Sequence, residues 1–104
     1  MLAPLTSWTQ PVDDRSEMGL TDHLVQSASD PADHEALARH FRMEADKLRM
    51  MALAHRSMGD SYRRSKLRKA ERQKEHCERI AALEEQISQE YEQLSKAHEA
   101  ELSR

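Results

Sequence analysis

The fold is decided by residues 30–62, DPADHEALARHFRMEADKLRMMALAHRSMGDSY, which open on a helix start and continue with one seven-residue pattern. Asp30 offers a capping carboxylate before Pro31, a residue that suits the first position of a helix. A row of large residues then recurs every seven positions: His34, Phe41, Leu48, His55 and Tyr62. This spacing is typical of a coiled-coil seam and predicts one helix over about residues 31–62.

Two further sets of residues accompany this row along the predicted helix. Leu37, Met51 and Met58 fall three positions after members of the row, and Glu44 interrupts them. Alanines widen the row on one flank and permit the close approach of another helix: Ala38, Ala45 and Ala52. Gly59 stays inside the predicted helix, at a cost of about 1 kcal/mol in helix propensity.

A second helix is predicted over about residues 67–102, after a turn at about 63–66, and Ser65 is a candidate to cap the start of this second helix. Its predicted seam consists of His76, Ile80, Leu83, Ile87, Tyr91, Leu94, His98 and Leu102. A turn at this place lets apolar residues of the two helices face each other, whereas a turn at Asp60 does not. The predicted facing pairs are Met51 with Ile80, Leu48 with Leu83, Phe41 with Tyr91, His55 with His76, and His34 with His98.

The predicted fold is therefore all-α, an antiparallel, coiled-coil-like helical hairpin over residues 30–104. Residues 1–29 are expected to form a largely disordered arm, with one or two helical turns over 21–28 and an isolated Trp8. Two helices bury only the strip between them, so we expect self-association into a four-helix bundle. Seven basic residues at 63–74 and the glutamates at 84–101 favour pairing of the tip of one hairpin with the open end of another.

Composition narrows the class of protein. With 104 residues, a net charge of −3 and 34% charged residues, the chain is one domain at most. A single cysteine, Cys77, excludes an internal disulfide. No apolar run approaches the roughly 20 residues of a membrane span, and no secretory signal is evident at the start. We expect no membrane contact and a cytoplasmic location, or a periplasmic one if a leader is missing.

The histidines offer a second interpretation. At the tip end, His55 and His76 are predicted to face each other near Met58 and Cys77, a ligand set suited to Cu(I) or Zn(II). At the open end, His34 and His98 offer two ligands, which a dimer could raise to four. A histidine layer that packs in the seam and responds to pH is the alternative that we favour.

Three functions follow from these features. The favoured one is a non-enzymatic, oligomerising interaction or structural protein, whose partner is itself or another protein. The second is a small metal-binding protein that uses the six residues named above with Cu or Zn as its cofactor. Nucleic-acid contact through the basic tip at 62–74 ranks last, because many acidic residues flank the tip and only Tyr62 could stack on a base. An enzyme is not expected, since no catalytic constellation is present.

The stretch 33–38, DHEALA, followed by His55, Met58 and Tyr62 and then by His76-Cys77, Ile80, Leu94 and His98, resembles a group of small bacterial helical-hairpin proteins, mostly exported and uncharacterised. The resemblance covers roughly residues 33–98. It implies a shared role for the histidines and the His-Cys dipeptide, with metal handling as one possibility. This chain departs from the pattern in its missing export signal and in Glu84, where an aromatic residue is usual.

Overall fold

A computed structural model of the protein describes residues 14–104, with side chains from residue 18 onward. This part of the chain contains three helices and no strand: α1 (Asp14–Ser27), α2 (Pro31–Arg64) and α3 (Ala70–Leu102). The long helices α2 and α3 pack closely as an antiparallel hairpin. The predicted all-α hairpin is therefore confirmed, with helix ends within a few residues of the predicted ones.

The start of α2 follows the predicted chemistry. The Asp30 side chain accepts a hydrogen bond from the backbone N–H of Asp33 at 2.9 Å, and Pro31 occupies the first helical position. One of the N–H groups that a helix start leaves without an internal partner is thereby satisfied. The direction of α2, and with it the position of every seam residue, is fixed from this end.

The turn between α2 and α3 differs from the prediction at Ser65. Its backbone N–H and its hydroxyl both donate to the Tyr62 carbonyl, at 3.0 Å and 2.8 Å, so Ser65 ends α2 rather than starting α3. Helix α3 begins after Lys69, whose φ of 63° is left-handed and whose side chain makes no capping bond. Ser65 lies too far before Ala70 to reach the first turn of α3.

Small residues form the seam between α2 and α3. On α2 four small buried residues recur every seven positions, Ala38, Ala45, Ala52 and Gly59, and the larger Leu37 and Phe41 are buried near the start of the helix. On α3 they include Cys77, Ala81, Ser88 and Ser95. The Ser88 hydroxyl donates to the Ala45 carbonyl at 2.8 Å, and the Ser95 hydroxyl donates to the Ala38 carbonyl at 2.7 Å. Seryl side chains reach the opposite backbone only because the two helices approach closely.

The predicted seam of α3 was wrong by one position over most of its length. Ile80, Leu83, Ile87 and Leu94, which were predicted to face α2, are between 41% and 57% exposed. The residues that follow them are buried instead: Ala81, Glu84, Ser88 and Ser95. On α3 the positions closest to α2 hold mostly small residues, and these four branched apolar side chains lie on the flank of the seam. Tyr91 and His98 occupy the positions predicted for them, since they stack on Phe41.

Gly59 yields a test of the seam. A Cβ atom at this position would lie 3.4 Å from the Cys77 Cβ and 3.5 Å from the Lys74 carbonyl oxygen, which is ordinary van der Waals contact. Gly59→Ala should therefore fit and stabilise the hairpin by about 1 kcal/mol through helix propensity. Urea unfolding followed by circular dichroism should show a higher midpoint for Gly59→Ala and a lower one for Gly59→Leu. A lower midpoint for Gly59→Ala would mean that the helices approach more closely than described.

The segment before the hairpin contains more helix than the sequence predicted. Residues 14–27 form α1, whereas only 21–28 were expected to form helical turns within a disordered arm. Contact with α2 supplies what a short isolated helix lacks, including the approach of the Thr21 hydroxyl to Nε2 of His40 at 3.3 Å. Trp8 lies outside the described residues.

Candidate interaction surface and histidine pairs

One flank of the hairpin carries a ladder of ion pairs between the two helices. Its three rungs are Arg42 with Glu99, Arg49 with Glu92, and Arg56 with Glu85. Arginines spaced by seven residues on α2 meet glutamates spaced by seven on α3, running in the opposite direction. The hydrogen bond from Arg56 holds the pKa of the Glu85 carboxyl below its ordinary value. Exposed pairs contribute little stability each, so the ladder acts mainly on register.

The opposite flank of the hairpin is apolar. Each ladder arginine directly follows a residue of the second seam row of α2, which consists of Phe41, Leu48 and His55. Consecutive helix residues point about 100° apart. Residues that precede a seam position therefore lie on the other flank, and this holds on both helices. Six large apolar side chains that precede a buried residue are exposed, and together they form what we call the apolar face: Met51, Met58, Ile80, Leu83, Ile87 and Leu94.

The apolar face is open to solvent in the single chain. Leu83 is 57% exposed, and the other five side chains are between 41% and 47% exposed. These six large apolar side chains are thus exposed, while most of the buried residues between the two helices are small. A contiguous apolar patch with polar borders marks a surface that binds something, because single exposed apolar residues are common but rows of them are not.

Helix α1 lies beside Glu44 and Lys47, two polar residues of α2. A cavity between them is lined by Met18 and Thr21 of α1 and by Glu44 and Lys47 of α2, with Tyr91 of α3. Glu44 is the residue that the sequence pattern marked as an interruption. The six residues of the apolar face do not line this cavity.

The open-end histidine pair is present as predicted. Nδ1 of His34 lies 3.0 Å from Nδ1 of His98, and the two rings meet edge to edge, with centroids 5.3 Å apart and planes at 28°. One ring donates its N–H and the other accepts, so the pair requires at least one neutral imidazole. Burial, together with the neighbouring His34, lowers the pKa of His98, while Glu101 acts in the opposite direction.

This shift predicts how stability depends on pH. The pKa of His98 is lower in the folded chain than its ordinary value of about 6.5, so the unfolded chain binds this proton more tightly. Protonation of His98 has no effect on the free energy of unfolding at pH values well above about 6.5, where the ring is neutral in both states. As pH falls below about 6.5, the unfolded chain takes up this proton more readily, and the hairpin loses stability. We expect the urea midpoint to drop between about pH 7.5 and 5.5, above the range in which carboxylates titrate.

The matched variants are His98→Gln and His76→Gln. Replacement of His98 should flatten the dependence of the urea midpoint on pH, whereas replacement of the exposed His76 should leave the slope as in the unaltered chain. Equal slopes in all three proteins would contradict the assignment of this pH dependence to His98.

The tip-end histidines do not form the predicted pair. Nδ1 of His55 donates to Glu84, with Oε1 at 2.8 Å, and lies 3.0 Å from the Met51 carbonyl oxygen. His76 is exposed on α3 and accepts from Arg79 at 3.0 Å. His55 therefore contacts Glu84 instead of His76. The one-position shift of the α3 seam explains this change of partner, because it turns His76 outward and brings Glu84 inward. His55 and Glu84 thus form a polar pair within the seam.

The other predicted tip ligands are separated as well. Cys77 is buried in the seam beside Gly59, while Met58 belongs to the apolar face. Among the residues that the structure describes, no three His, Cys, Asp or Glu side chains come together as ligands for one metal ion. Of the six predicted ligands, the structure therefore brings only His34 and His98 within bonding distance of each other.

Comparisons with protein-family models, with curated proteins and with solved structures find no match to this chain. Within residues 14–104, no helix combines the length and the apolar character that crossing a bilayer requires.

Proposed function

We propose that this chain is a non-enzymatic interaction module that self-associates by burying its apolar face against a second copy. The observation that supports the proposal is the exposure of six large apolar side chains along one flank of a hairpin whose interior consists mostly of small residues. Full burial of one such side chain contributes roughly 1.5–3 kcal/mol. A two-helix seam made mostly of small residues gains little of this burial energy by itself. Packing the apolar face against a second copy would supply it.

An antiparallel arrangement suits the charges. The tip at 63–74 carries seven basic residues, and like-charged tips placed side by side would repel each other. In the proposed dimer each tip lies beside the open end of the other hairpin, which gives a symmetric four-helix bundle. Glu85, Glu92 and Glu99 already pair with arginines of their own chain, so apolar contact rather than charge supplies most of the binding energy.

Sedimentation equilibrium of the full chain tests the proposal. We expect a concentration-dependent shift from 12.0 kDa to twice that mass, accompanied by a melting temperature that rises with protein concentration. A single species at 12.0 kDa, with a melting temperature that does not depend on concentration up to about millimolar levels, would leave the apolar face to a partner other than the chain itself.

A further inference from the structure

We infer that His34 and His98 form a binding site for one divalent transition-metal ion of the class that prefers imidazole, Zn(II), Ni(II) or Cu(II). The site lies between the first turn of α2 and the last turns of α3. It goes beyond the proposed self-association and does not depend on it, because both ligands come from one chain.

The distance between the two nitrogen atoms fits a shared ion. Two zinc to nitrogen bonds of about 2.0–2.1 Å at a tetrahedral angle place the nitrogens about 3.3 Å apart. The two Nδ1 atoms are 3.0 Å apart and already point at each other across a hydrogen bond. A small opening of the pair would admit the ion where the bridging proton now lies.

The rings are held in place before any ion binds. His98 stacks on Phe41 with ring centroids 5.8 Å apart and planes at 20°, and Phe41 is buried in the seam. Both histidines are partly buried on helices that the seam locks together. Binding therefore requires little additional ordering of the side chains, which favours affinity.

The protonation state of the pair also suits a ligand. A metal ion requires neutral imidazoles, and the hydrogen bond between the two Nδ1 atoms already requires at least one neutral ring. Near neutral pH, the ring that carries its proton on Nδ1 transfers it through solvent to its own Nε2, so binding releases no net proton. Water completes the coordination, because a site with two protein ligands leaves further positions open.

Calorimetric titration of the full chain with Zn(II) at about pH 7.5 is the first test. We expect one ion per chain, with affinity weakened about tenfold or more in His34→Gln and in His98→Gln. The control is His76→Gln, which alters an exposed histidine and should bind as the unaltered chain does. Unchanged affinity in both His34→Gln and His98→Gln, or no heat of binding in the unaltered chain, would overturn the inference.

A second measurement needs no variant and therefore decides the matter if a substitution disturbs folding. Substoichiometric Cu(II) broadens the NMR signals of the imidazole protons nearest to it. The signals of His34 and His98 should broaden before those of the other four histidines. Broadening that begins at His23, His40, His55 or His76 instead would overturn the inference.

Discussion

Ala45→Leu is expected to destabilise the hairpin by about 1–3 kcal/mol, the usual range for overpacking a filled interior. Ala45 is completely buried, and its carbonyl accepts the hydrogen bond from Ser88 at 2.8 Å. A leucine side chain would have to separate α2 from α3, which would also break that bond and leave a buried hydroxyl without a partner. Urea unfolding at a fixed protein concentration measures the loss.

The control for this prediction is Ala82→Leu. Ala82 is exposed on α3 and follows the seam residue Ala81, so it lies off the apolar face. Leucine and alanine have similar helix propensities, so the urea midpoint of Ala82→Leu should stay close to that of the unaltered chain. If Ala45→Leu and Ala82→Leu unfold at the same midpoint, Ala45 is not confined by α3 and the small-residue seam is not the contact between the helices.

Ile80→Glu combined with Ile87→Glu should weaken self-association about 100-fold or more. Each isoleucine belongs to the apolar face, and loss of its burial in the dimer removes at least 1.4 kcal/mol, about a factor of ten, per site. Neither side chain lies in the seam, so the single hairpin should keep its helical circular dichroism. Sedimentation equilibrium across a range of concentrations gives the dissociation constant of the variant.

Met50→Glu combined with Leu53→Glu is the matched control. Both residues are apolar and more than 60% exposed, but neither precedes a seam residue, so they lie off the apolar face. This control adds the same charge to the chain and should dimerise as the unaltered chain does. Equal weakening by both double variants would show that added charge, rather than loss of the apolar face, opposes association.

Much of the hairpin could be predicted from the sequence because its ends carry strong local signals. Asp30 and Pro31 start α2, and the pattern from His34 to Tyr62 continues without an interior proline. The open-end pairs were also predictable, since a turn near Ser65 and Lys66 places His34 opposite His98 and Phe41 opposite Tyr91. These contacts do not depend on which flank of α3 is apolar.

The residues of α3 that face α2 could not be predicted from hydropathy. A row containing Ile80, Leu83 and Ile87 is more apolar than the row one position later, so pattern reading assigns it to the interior. The seam instead favours small side chains where the two backbones are closest, so Ala81, Ser88 and Ser95 are buried there while their apolar neighbours are exposed. The seven-residue repeat of small residues from Ala38 to Gly59 was the signal for this arrangement.

The same error explains the misplaced tip-end site. A shift of one position turns a helical side chain by about 100°, enough to exchange a seam residue for a flank residue. Glu84, not His76, therefore meets His55. The ion-pair ladder was also missed, although its seven-residue spacing on both helices is visible in the sequence.

The most direct test of antiparallel self-association is one distance measured between two copies. A single spin label at the tip, attached through Lys66→Cys in a chain that also carries Cys77→Ala, reports that distance by pulsed electron resonance. The helix α2 has 34 residues and is about 50 Å long. We predict a distance of about that length between the two tips. A distance below about 20 Å would mean that the tips lie side by side, and no distance between copies would contradict self-association itself.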